Sequence, residues 1–118
     1  MDRKVTGRSD AAFVDYPRGR ITWLHNGDTG AVGLTVGEVI INPGQCNSMH
    51  AHPNCEEVLY LISGELEHTC GEEGPYHLTP GMSIRIPSGV KHNATCTSAD
   101  PARMIVAYDS AYRQVSEE

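Results

Sequence analysis

Short apolar runs broken by turn residues follow one another along the whole chain, and no stretch carries the 3.6-residue period of a long amphipathic helix. The pattern predicts strands at residues 20–24, 31–41, 57–62, 83–86, 92–96 and 103–108. Residues 46–52 should be extended, and 65–70 and 76–79 should be the arms of a hairpin closing around residues 71–74. Asn42-Pro43-Gly44, Pro53-Asn54-Cys55, Pro80-Gly81 and Pro87-Ser88-Gly89 supply the breaks. Strands this short, with turn signals every 8–12 residues, predict an all-β sandwich or barrel. The run Val58-Leu59-Tyr60-Leu61-Ile62 is apolar on both alternating faces, so it needs the barrel interior on one side and a second sheet or a partner subunit on the other.

At 118 residues the chain is long enough for one core and too short for two. The apolar runs are far too short to cross a bilayer, and the polar first ten residues lack the apolar stretch of a secretory signal. The expectation is a soluble, cytoplasmic protein without membrane partners. A formal net charge of -6, with no basic stripe, argues against nucleic acid as a ligand. Cys46, Cys55, Cys70 and Cys96 form no Cys-x-x-Cys pair, and free, mostly buried thiols are expected.

Candidate chemistry concentrates between Gly44 and Glu57. In an extended strand His50 and His52 point to one face, where two imidazoles can share a divalent ion. Either Glu56 or Glu57 can add an oxygen after the turn, and His92 can add a third nitrogen from a distant strand. On the same reasoning Cys46 and Ser48 share the face of the two histidines, and Ala94 and Cys96 that of His92. Both thiols would then enter one cavity, as small fillers in preference to metal ligands or a disulfide.

These residues resemble the cupin family. Its first motif places Gly, five residues, His-x-His, three or four residues, Glu, six residues, Gly; Gly44, His50, His52, Glu57 and Gly64 meet it. Its second, Gly, five residues, Pro-x-Gly, two residues, His, is met by Gly81, Pro87, Gly89 and His92. The six-residue interval to Gly64 selects Glu57 over Glu56. Four residues beyond His92, where the family pattern has Asn, stands Cys96. The resemblance implies a single-domain, jelly-roll-like barrel (a double-stranded β-helix) over residues 19–118. Residues 1–18 would be an N-terminal segment, open to exchange as a strand in a homodimer.

It also implies one divalent transition metal held by His50, His52, Glu57 and His92. Nitrogen and oxygen donors without thiolate suit Mn, Fe, Co, Ni or Zn. Because the histidines must be deprotonated to bind, occupancy should fall as pH drops below about 6. Tyr108, Arg113, Arg85 and His77 are the candidates for an accompanying catalytic role; Tyr76, His25 and His68 are further groups of suitable chemistry. Ser110-Ala111-Tyr112-Arg113 is similar to the Ser-x-x-Arg tail of small sugar-acid cupins, although Ala107 stands where those carry an acid. The expected activity is lyase or isomerase chemistry on a small polar metabolite, a sugar or hydroxy-acid derivative. An iron-dependent dioxygenase and a non-catalytic metal-bearing binding or sensing module are the alternatives.

Overall fold

Alternation along the strands decides the layers. In β5 (Glu57–Ser63) Glu57, Leu59 and Leu61 are buried while Val58 and Tyr60 face outward. In β10 (Ala102–Tyr108) Ala102, Met104, Val106 and Tyr108 are buried. Successive side chains of a strand point to opposite faces, so each strand gives one row to the interior. The computed structural model describes residues 2–117 and contains no α-helix among them, only strands and two short 3-10 turns, Arg8–Asp10 and Gly27–Thr29.

The remaining strands are β1 (Ala12–Tyr16), β2 (Gly19–His25), β3 (Thr35–Ile41), β4 (His50–Ala51), β6 (Leu66–Cys70), β7 (Glu73–Leu78), β8 (Ser83–Ile86), β9 (His92–Cys96) and β11 (Ser116–Glu117). They form two antiparallel sheets, ordered β1-β2-β3-β10-β5-β8 and β11-β4-β9-β6-β7. Leu59, Leu61, Met104 and Val106 of the first sheet meet Leu66, Leu78, Ala94 and Cys96 of the second in one core. This is the expected all-β, jelly-roll-like barrel.

Several boundaries differ from the sequence reading. The strand expected from residue 31 begins at Thr35, because the β2 ladder ends at the His25–Val36 pair. Val32 and Leu34 before it stay exposed. Of the extended stretch 46–52, only His50–Ala51 joins a ladder, with an isolated bridge from Cys46 to Thr95. The hairpin closes on residues 71–72, since Cys70 pairs with Glu73 and the second arm starts at Glu73. The N-terminal segment supplies a strand, β1, which pairs with β2 of the same chain, and one strand, β11, paired with β4, falls outside the reading.

Glycine is required at two motif positions. Gly64 has φ +81°, and a Cβ there would lie 2.7 Å from Cα of Ala102 at the start of β10. Gly89 has φ +79°, and its N–H donates to the His52 carbonyl at 2.9 Å, tying the turn before His92 to the segment that carries His52.

Candidate metal centre

Register brings the ligands together. His50 on β4 pairs directly with His92 on β9. Glu57 opens β5 opposite Tyr108 of β10. The ring centroids of His50, His52 and His92 lie 4.3–5.2 Å apart. One ligand atom from each of His50, His52, Glu57 and His92 lies within 4.8 Å of all the others. Glu56, the competing acid, is exposed and pairs with Arg85 at 2.9 Å on the surface.

The hydrogen bonds fix which nitrogen faces inward. Nδ1 of His50 contacts the Ser48 carbonyl at 2.7 Å, that of His52 the Gln114 carbonyl at 2.9 Å, and that of His92 the Val90 carbonyl at 2.9 Å. A carbonyl only accepts, so each Nδ1 carries the hydrogen and each Nε2 presents a lone pair. Buried His52 Nε2 has no hydrogen-bond partner, and it lies 3.2 Å from Oε1 of Glu57. His92 Nε2 lies 3.1 Å from the same oxygen. Three lone pairs and a carboxylate converging in a buried site call for a cation among them.

The titration properties agree. Burial raises the Glu57 carboxyl, but the adjacent His52 and His92 imidazoles outweigh this and hold it at about 2. Burial, aided by the neighbouring imidazoles, lowers His50 to about 4. For His92 burial is the largest influence and pulls downward, yet the Glu57 bond and charge raise the net value above the ordinary one.

The cluster opens on a cavity of about 340 Å³ lined by apolar Val39, Ile41, Leu59, Met104 and Val106, with His68, Tyr108 and Arg113 among its polar groups. Burial first, and then the Glu57 charge, push the Tyr108 phenol well above its ordinary value. Its ring meets that of His52 edge-on at 4.9 Å. The Arg113 guanidinium lies over Trp23 and Tyr108, and its buried Nε has no partner.

The other two candidates lie elsewhere: Arg85 pairs with Glu56, and His77 pairs with Glu65 and Glu67 on the exposed hairpin. Cys96 shares the inward face of His92 and Ala94, as expected, but is buried in the core beyond the cavity, and Cys46 is exposed, so neither thiol lines the cavity. The irregular backbone between Cys46 and His50 breaks the strict alternation on which the expectation for Cys46 rested. The four cysteines are free, but only Cys55 and Cys96 are fully buried. What sequence reasoning missed is the C-terminal segment: the Gln114 carbonyl orients His52, and no side-chain pattern announces a backbone acceptor.

The sequence model of the Cupin domain family matches residues 37–108. The chain belongs to the cupin family. Among curated cupin relatives, it is 32% identical over 76 residues to Protein SchB of Streptomyces halstedii, covering 64% of this chain and 54% of that protein. It is 34% identical over 77 residues to Polyketide synthase CurC of Streptomyces cyaneus, covering 64% and 49%. The match thus spans about half the length of each relative. Among solved structures, the Lactobacillus farciminis oxalate decarboxylase formate complex superposes with a TM-score of 0.83 at 16% identity, over 92% of this chain and 34% of that one. Oxalate decarboxylase from Bacillus subtilis at pH 4.6 gives 0.83 and 16%, over 93% and 30%.

The fold is therefore that of a cupin, and the His50, His52, Glu57, His92 cluster has the donors and spacing to hold a divalent metal ion. At Cys96, where the cupin pattern has Asn, the thiol lies 3.4 Å from Ser98 Oγ and 3.5 Å from the Asp100 carbonyl. The sulfur thereby takes over a polar contact to the loop before β10.

Proposed function

We propose that this cupin is a metal-dependent enzyme that takes a small, oxygen-rich, enolisable metabolite, a sugar, hydroxy-acid or related carbonyl derivative, through a lyase or isomerase reaction. The observation that carries the reading is the convergence of three Nε2 lone pairs and the Glu57 carboxylate beside a cavity of mixed polar and apolar lining that also holds Tyr108 and Arg113. The donor set suits Mn, Fe, Co, Ni or Zn, and such an ion, when bound, supplies Lewis-acid stabilisation of charge developing on a substrate oxygen. Tyr108 keeps its proton at neutral pH and can donate it in a hydrogen bond within the cavity. Arg113, which has no carboxylate partner among the described residues, is suited to a substrate carboxylate.

The name of the relative CurC lends support. Polyketide chains carry 1,3-related oxygens, the arrangement that chelates a divalent ion and enolises readily. A cytoplasmic location is part of the proposal; among the described residues no helix is long and apolar enough to cross a membrane.

The test is elemental analysis of the purified protein, followed by a panel of hydroxy acids, sugar acids and 1,3-dicarbonyls, with the His50→Ala, His92→Ala double variant as control. Turnover that tracks metal content and vanishes in the control is expected. Turnover by the metal-free double variant overturns the reading. Oxygen consumption coupled to substrate loss in an iron-loaded sample assigns a dioxygenase instead, and ligand-induced stabilisation without turnover assigns a binding module.

A further inference from the structure

His68 is a buried imidazole that the metal centre does not use. It sits on β6, pairing with Ala94 of β9 on one side and Tyr76 of β7 on the other. Only 1% of it is exposed, and it belongs to an inward row that begins with Leu66. Its ring lies parallel to His92, 5.8 Å away at 9°, and it lines the same cavity as the ligands.

Burying an imidazole beside leucines is costly unless both nitrogens are satisfied. Only one is. Nδ1 donates to the Thr69 carbonyl at 2.7 Å, which fixes the hydrogen there and leaves Nε2 as an acceptor with no partner among the described residues. A leucine or valine would fill an apolar wall without that cost, and neighbouring Ala94 is small enough to leave the ring room. His68 lines a cavity whose wall mixes apolar Val39, Ile41, Leu59, Met104 and Val106 with polar side chains, the metal cluster among them.

Resting on the enzyme reading above, we infer that His68 Nε2 is a specificity-determining acceptor: it reads a hydroxyl that the ligand carries in addition to the oxygens that meet the metal cluster. The ligand class is thereby narrowed to hydroxylated chelators. An analogue lacking that hydroxyl leaves His68 desolvated and unpaired, so it should bind less tightly.

The test measures affinity, not turnover, so it is separable from the enzyme reading. Zinc-loaded protein is titrated calorimetrically with matched pairs differing by one hydroxyl: glycerate and lactate, tartrate and malate, kojic acid and allomaltol. At least one pair should differ by roughly tenfold or more in favour of the hydroxylated member. In His68→Leu that preference should collapse while zinc content is retained, and His68→Gln, which keeps an acceptor, should recover part of it. Because leucine suits this apolar row, His68→Leu should keep or raise the melting temperature; if it fails to fold, His68→Gln and His68→Ala carry the comparison. Absence of discrimination in every pair, or discrimination that survives removal of the imidazole, overturns the inference. Loss of zinc by the wild type points instead to failure of the metal reading.

Discussion

The three ligand histidines are not equivalent, and the difference predicts a pH profile. His50, held at about 4, is neutral through the physiological range, and Glu57, held at about 2, is ionised. His92, raised above 6.5, is the imidazole whose proton competes with a metal ion. Metal binding should therefore displace a proton from His92 below its raised pKa, and occupancy should fall as pH drops through the ordinary histidine range. Calorimetry in buffers of different ionisation enthalpy reads the proton count; a count of zero contradicts the assignment. The metal-free protein has its own signature. Between pH 6.5 and 4 the unfolded chain protonates His50 while the folded one does not, so stability falls as pH falls through that window. The His92 contribution is fully present below 6.5 and lost only as pH rises through its folded value, so it does not offset this slope. Urea titrations with chelator present should show the slope in the wild type and a shallower one in His50→Ala. Tyr108→Phe addresses the proposed donor: metal content should be unchanged and turnover should fall by about 100-fold. An unaltered rate removes Tyr108 from the reaction.

At the scale of elements, the C-terminal segment acts as a strap over the ligand strand. Asn54 holds it from both sides, with Nδ2 donating to the Tyr112 carbonyl at 2.9 Å and Oδ1 accepting from the Gln114 N–H at 2.8 Å. The clamp places the Gln114 carbonyl on His52, and β11 then pairs with His50 and Ala51. Asn54→Ala should cost about 1–2 kcal/mol of stability through three lost hydrogen bonds, the third a longer one to Ser110 Oγ, and weaken metal affinity by roughly tenfold, although Asn54 is not itself a ligand. Competition with a fluorescent chelator measures this; unchanged affinity would show that His52 keeps its orientation without the strap. The strap also marks the limit of what the chain discloses by itself. The barrel strands were legible because alternation and turn residues are local signals, and the ligand cluster because strand geometry and motif spacing confine it. The strap was not, because a carbonyl from residue 114 meeting residue 52 has no local signature. Cys46 misled for the converse reason: period-two alternation was extended across a stretch whose backbone leaves the ladder.

At the scale of the whole molecule, the open question is what covers the outer face of β5. Val58 and Tyr60 are 42% and 47% exposed in the sheet whose other face forms the core wall. An apolar pair on a strand one in from the sheet edge favours a second copy as cover, and a homodimer is the proposed assembly. The N-terminal strand bears on how it would form. Tyr16 pairs with Gly19, so β1 reverses into β2 through residues 17–18 alone, and exchange between subunits would require that tight reversal to open. Pairing within the chain is therefore expected to persist in the dimer. Asp15 and Arg20 are directly opposed and exposed, so Asp15→Cys, Arg20→Cys protein should oxidise to a within-chain link; a cross-linked dimer on a denaturing gel would instead establish exchange. The face itself is tested by sedimentation at micromolar concentration. The wild type should run as a dimer, and the Val58→Glu, Tyr60→Glu variant as a monomer with its metal content intact, because both side chains point away from the ligand cluster. A monomeric wild type overturns the assembly and leaves the two outward side chains as ordinary exposed surface.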